Sequence, residues 1–462
     1  MLMRRIYILF ALVALSFAAS AQNPTTYFMD GTPLRSQWNP SFTTERGYVN
    51  IPLIGGIQAD THGNIALSKV LFPMNDGSLA TIFSGSVPAS VALGGLDKMN
   101  TFGVGVDMNI IGFGAYTKKR KHFWSAGINL RANVEASMPY GLFDFMKNGT
   151  SADIANLGLA VESRAEAYFS YTFPVRKNID LGIRAKALIG LGRCAVNFDR
   201  FDAQLNSASW SAHAVGSMEF SGLMPATKTL AGGREVYDMN DMGNSFKAPA
   251  GYGFGFDIGA TWTPIKNLRL SASVNDIGMM FWSKSATSIG GLDHSISFSG
   301  VETDENGDAI RPEFNLDELE FDVHNSRSLN KMLYASINVG GEYNFLDHRI
   351  GLGVFYQAKF WEYNTRHNLT FSANFRPLKW LHITGSYSVI DNDANAVGLA
   401  LNLCPKFISF FVATDILLSK KSPQWIPIKQ SNMNVTFGLA VPFGKGKNDT
   451  VASKPKEKKK KR

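Results

Sequence analysis

The chain has 462 residues, of which 45% are apolar and only 18% charged, with aromatics at 12% and 43 glycines. Charge falls below the ~25% usual for a soluble domain, and beyond the amino terminus no stretch nears the ~18 consecutive apolar residues of a spanning helix. The formal net charge of +8 belongs largely to the tail, where Lys445 to Arg462 supply nine cations; the nearly neutral body has no basic face interleaved with aromatics, so nucleic-acid binding has little support.

Met1 to Ala21 has the three parts of a secretory signal: Arg4 and Arg5, an apolar run from Ile6 to Ala18, and Ala19-Ser20-Ala21 as a small-x-small cleavage site. The run is about 13 residues, short of the ~20 that a membrane anchor needs. Cleavage near Ala21 is expected, with Gln22 first in the mature chain. No Cys follows it, which argues against a lipid anchor, and the two cysteines, Cys194 and Cys404, are as readily free as paired.

Residues 22–46 carry Pro24, Pro33 and Pro40 and suit a plug-like segment at or inside a barrel mouth. Tyr48 to Asp60 is the first expected strand, and Thr61 to Asn100 reads as a long loop partly ordered by Ile65, Leu67 and Val70. From Thr101 the period is two: Phe102, Val104, Val106, Met108 and Ile110 alternate with Gly103, Gly105, Asp107 and Asn109. After the turn at Lys118 to Lys121, Trp124, Ile128 and Leu130 point one way, with Asn129, Arg131 and Glu135 opposite. Tyr140 to Leu157 reads as a loop with a short helix at Leu142 to Met146. Two strands follow around the turn at Pro174, and Cys194 to Ala248 loosens into a long segment with a hairpin of its own at Ser209 to Phe220.

Gly251 to Trp282 is the clearest unit. Tyr252, Phe254, Phe256, Ile258 and Trp262 alternate with glycines, Asp257 and Thr261; a turn at Pro264 follows, and then Leu268, Leu270, Ala272 and Val274 oppose Arg269, Ser271, Ser273 and Asn275. An acidic insert comes next, and after it strands led by Leu333, Ile350, Leu369, Leu381 and Val397, a strand through Phe410, and a final strand from Met433 to Phe443. The total is 14. All six short connections, at Lys118, Arg176, Lys266, Asp347, Lys379 and Pro405, then fall at one end and every long loop at the other, the asymmetry of an outer-membrane barrel. The expected fold is an all-β antiparallel transmembrane barrel over residues 47–444, with residues 445–462 a basic disordered tail. Inward charges need water or partners, so Arg131, Glu135, Arg164, Glu166, Arg184 and Lys186 are the candidate lumen-lining residues; they either line a polar path or form structural pairs.

Two stretches carry a family resemblance. Tyr27-Phe28-Met29 through Arg35-Ser36-Gln37-Trp38-Asn39-Pro40 to Asn50-Ile51-Pro52-Leu53, and Pro249-Ala250-Gly251 through Phe256-Asp257-Ile258-Gly259 to Asn275-Asp276-Ile277-Gly278 and Trp282, resemble a Bacteroidetes outer-membrane β-barrel family of unknown function (DUF5723). The likeness covers nearly all of the mature chain. That family is similar in build to FadL-type barrels and to accessory barrels of type IX secretion, which implies an outer-membrane location but no substrate. The basic tail beyond Phe443 departs from the pattern.

The eight histidines are scattered over loops, turns and strand ends with no nucleophile motif, so no catalysis is expected. Asp304-Glu305-Asn306-Gly307-Asp308 lacks the spacing of a calcium loop, and the glycines from Gly251 to Gly259 have strand spacing, not that of a phosphate loop. No cofactor or metal is expected. The functional expectation is a channel or transporter for a small, hydrophobic or other, molecule, with a non-transporting scaffold of a secretion or surface complex as the alternative. The expected partners are outer-membrane lipid and lipopolysaccharide, a small-molecule ligand and secretion-system proteins.

Overall fold

The computed structural model describes residues 24–444 apart from 66–68, 70, 75–77, 83, 150, 206–208, 231, 239–244, 300–301, 304–308, 311–319, 392–393 and 416–432. The signal-like segment, the basic tail, Leu67, Val70, the Asp304 to Asp308 run and Asn392-Asp393, which the sequence reads as a short loop before the strand led by Val397, lie outside the described residues.

Fourteen antiparallel staves close on themselves. They are β1 (Gly47–Asn50, resumed as Ile57–Gly63), β2 (Met99–Tyr116), β3 (Phe123–Pro139), β4 (Ser151–Arg176), β5 (Ile179–Leu205), β6 (Gly251–Ile265) and β7 (Leu268–Trp282). The second half is β8 (Ser336–Phe345), β9 (Ile350–Phe360), β10 (Thr365–Leu378), β11 (Leu381–Ile390), β12 (Ala394–Leu403), β13 (Ser409–Thr414) and β14 (Met433–Phe443). Each pairs with its neighbour in sequence, and β14 meets β1 through Gly47↔Phe443 and Ile57↔Phe437, which leaves the cylinder no free edge. The period-two pattern explains why. Outward side chains such as Tyr252, Phe254, Ile258, Leu352 and Phe437 are exposed, while their neighbours in sequence, Asp257, Thr436 and Asn434 among them, are buried inside.

Several local expectations are corrected. The strand expected from Tyr48 to Asp60 is broken: Pro52 has no ladder donor, Leu53 takes φ 67°, and the chain bulges outward before Gly56 accepts from Asn109 N at 2.8 Å. The alternation read from Phe102 to Ile110 does not run on unchanged, because a bulge between Asn109 and Ile111 turns Ile111 outward. Tyr140–Asn148 is a helix, but strand resumes at Ser151 rather than after Leu157. Leu333 packs inside against the cluster around Trp282 instead of facing outward.

The largest correction concerns Cys194 to Ala248. β5 runs 27 residues, beyond the 9 to 11 or so that cross a bilayer, and Ser209–Ser221 pairs with its upper half rather than forming its own hairpin. Thr287–Ser299 adds to Ser209–Ser221, and Asp322–His324 adds to that strand. This sheet stands above the barrel at the long-loop end around Met218, Phe220, Leu292 and Phe321. Simple alternation fades there because the sheet has a core of its own, which Cys194, Val196 and Phe198 partly join.

Candidate functional site

The lumen is occupied by the chain's own N-terminal segment. Two short 3-10 turns, Pro24–Phe28 and Pro33–Gln37, lie among the inward faces of the strands near the short-turn end. The Tyr27 ring stacks on Phe355 at 4.1 Å, and Trp38 meets Phe355 edge-on at 5.2 Å. The wall is cut away to receive them: a side chain at Gly340 would strike the Tyr27 ring, and one at Gly353 the Phe28 ring. This is one reason why small residues alternate with aromatics along the strands.

A segment outside the ladder must find partners for its backbone groups elsewhere. Trp38 O accepts from Ser273 Oγ at 2.7 Å and from Asn275 Nδ2 at 2.8 Å, and Ser36 O accepts from Arg184 Nη2 at 2.8 Å. Asn39 Nδ2 donates to Ala260 O and Ala272 O at 3.2 and 3.1 Å. At the other end of the segment Thr25 donates to Asp415 Oδ1 at 2.5 Å.

Asp30 is the electrostatic hub of the segment. It pairs with Arg35, with Arg269 at 3.0 Å and with Arg376 at 2.8 Å, and the same two wall arginines reach Glu342 at 2.5 Å each. Its backbone carbonyl accepts from His382 Nδ1 at 2.8 Å and Asn402 Nδ2 at 2.9 Å. Burial works to raise the Asp30 carboxyl, but Arg269, Arg35 and Arg376 outweigh it and hold it well below the usual carboxylate range.

Above this segment lies a second layer, and it gathers five of the six candidate residues. Arg131 reaches Asp107 at 2.7 Å, Asp276 at 3.0 Å and Glu166 at 3.2 Å; Arg164 meets Glu162 and Glu166 at 2.9 Å each. Lys186 bridges Asp257 at 2.7 Å and Asp276 at 2.6 Å, and Arg184 lies 3.6 Å from Asp257. The pair from Arg131 on β3 to Asp276 on β7 crosses the lumen. Glu135 stands apart from this group: it faces His62 Nε2 at 2.7 Å, while His62 Nδ1 faces Asp60 at 2.9 Å. The His62 ring stacks on Trp361 at 4.1 Å and 10°. His62 is thus a buried residue near the end of its strand, held between two carboxylates.

Reading by phase missed the carboxylates that complete the layer. Asp107 and Asp257 sit on inward positions of their strands and were legible as such. Asp276 is subtler, because strict alternation from Val274 would turn it outward. A bulge reverses the phase there, and the signal is in the sequence: the apolar set moves from even numbers through Val274 to odd numbers at Ile277, Met279 and Phe281. Nothing in the irregular stretch before Arg46 marks Asp30.

No curated protein matches the sequence. Among solved structures the chain is similar to a Pseudomonas aeruginosa FadL homologue, at 11% identity and TM-score 0.41 over 92% of this chain and 94% of that one. It is similar to the toluene transporter TodX of P. putida at 9% identity and TM-score 0.39 (92% and 95%). It is also similar to the translocator domain of the autotransporter NalP from Neisseria meningitidis at 6% identity and TM-score 0.32 (86% and 88%). A family model spans residues 40–415, most of the chain including β2 to β13, so the chain belongs to the family of unknown function DUF5723.

Proposed function

We propose that this protein is an outer-membrane barrel that passes a small molecule, hydrophobic ones included, through a lumen closed at rest by its N-terminal segment. Support for the membrane comes from the outward belt of aromatic and aliphatic side chains, far larger than the few hundred Å² of apolar patch usual on soluble monomers, on a sheet with no unpaired edge. Support for passage rests on one observation: residues 24–46 fill the barrel without joining its ladder, so the element that blocks the lumen is separable from the wall. Side-chain hydrogen bonds and the Asp30 ion pairs hold it, and these can be released while all fourteen staves stay paired.

The alternative is a scaffold for a secretion or surface complex, favoured by the second, ion-paired layer that also crosses the lumen. Single-channel recording separates the two. The wild-type barrel is expected to be nearly silent, and the Asp30→Asn variant, which leaves Arg269 and Arg376 with Glu342 alone, to show stepwise openings. A variant lacking residues 24–45 that folds and stays as silent as the wild type with every ligand class would reject passage in favour of the scaffold.

A further inference from the structure

The short-turn end of the barrel is predominantly cationic. Every one of its connections presents an exposed cation: Lys118, Arg176, Lys266, Arg349, Lys379 and Lys406. The first and second turns add Lys119, Lys121 and Lys177, all exposed. Acid at this rim is sparse. Asp347 lies 3.9 Å from Lys266, and among the described residues Glu45 is the other exposed carboxylate beside the rim.

These cations are not gathered into one pocket. They stand one or more to a turn on all six turns at this end, so a compact anion would meet only one or two of them. A partner that meets them all is a broad anionic plane. Exposed apolar side chains share the same turns: Val175 beside Arg176, Ile265 beside Lys266, Leu346 close to Arg349, Trp380 beside Lys379 and Phe407 beside Lys406. A polymer in water would leave Leu346 and Phe407 wet. A lipid surface takes both, with the apolar groups entering the acyl boundary and the cations reaching the phosphates.

We infer that this rim is a binding surface for the phosphate headgroups of anionic phospholipid in the leaflet at the short-turn end. The inference rests on the membrane reading given above, and its test keeps the two apart. Folded protein, identified by a heat-dependent shift on a gel, is placed in vesicles of phosphatidylcholine containing spin-labelled phosphatidylglycerol or spin-labelled phosphatidylcholine. The relative association of the two labels with the protein perimeter is then read.

The expected result is a several-fold preference for phosphatidylglycerol that disappears in 1 M NaCl, where the screening length shrinks to about 3 Å. The variant K118Q/K119Q/K121Q/R176Q/K177Q/K266Q/R349Q/K379Q/K406Q, compared with wild type in chains that both end at Gly444, should fold with an unchanged gel shift and lose most of the preference. The variant K98Q/K247Q/K284Q, which removes exposed cations from the long-loop end, should keep it. Equal association of both labels with folded wild-type protein would overturn the inference while leaving the barrel intact. So would a preference lost equally from either variant. A chain that never shows the gel shift in vesicles would instead reject the membrane reading itself.

Discussion

Asp276 adopts φ 59°, the left-handed region that Asp tolerates better than most residues, and the resulting bulge brings its carboxylate into the lumen between Arg131 and Lys186. Had the alternation continued through Asn275, the same charge would face the apolar belt. Deleting a partner from a buried ion group is costly because the remaining charge stays desolvated, so Asp276→Ala is expected to destabilise the barrel by roughly 3 kcal/mol. Removing Lys186 as well restores the local charge balance, and D276A/K186M should recover a good part of that loss, since apolar replacement of a buried pair is often near neutral. Denaturant midpoints of the wild type, the single variant and the double variant check this. A double variant less stable than the single one by the full cost of a second deletion would show that the two charges are not coupled.

At the scale of one element, β14 displays the rule that made the barrel legible. Val435, Phe437 and Val441 are exposed, whereas Asn434, Thr436 and Ala440 are buried. Phe437→Arg is therefore expected to cost about 2–4 kcal/mol near the bilayer midplane, with Phe437→Leu costing under about 1.5; folded yield in vesicles is the measurement. An arginine at Thr436 does not serve as the harmless control that an open lumen would permit, because Thr436 is fully buried and the interior around it is filled. Period-two reading succeeded wherever a strand had one apolar and one polar face and nothing above it. It failed at Asn109 and Asp276, where an inserted residue reverses the phase, at Pro52, where the chain leaves the ladder after Asn50 and rejoins it at Ile57, and along Cys194 to Leu205, where the strand rises into a separate sheet. The N-terminal segment escaped for a different reason: it pairs through side chains scattered over many strands, and such pairing has no period. Its ionic hub does have a pH signature. Because Asp30 is held below its unfolded value, its contribution is present above about pH 4 and is lost only as the pH falls through the lower folded value. The Asp30 contacts should accordingly be indifferent to pH between 5 and 8, and conductance that switches on within that window would point to another holder of the segment, such as Asp415, which accepts from Thr25.

For the whole molecule, stability follows from closure. β1 is interrupted between Asn50 and Ile57, yet it holds both β14 and β2, through Val49↔Val441 and Ala59↔Val435 on one side and Val49↔Phe113 and Ala59↔Val106 on the other. Without those contacts β14 and β2 would each present an unpaired ladder, the usual point of attack on a sheet. With them every stave is satisfied on both sides, and detergent meets only the apolar belt. The protein should consequently stay folded in SDS at room temperature and migrate differently after boiling. Truncation after Thr414 removes β14 and the closing seam together, leaving the edges of β13 and β1 exposed. That chain should lose the heat-dependent shift entirely while keeping every residue of β1 to β13. If it migrates like the full-length protein before and after boiling, closure through β14 is not what resists the detergent, and the seam between β14 and β1 is not the element on which the barrel depends.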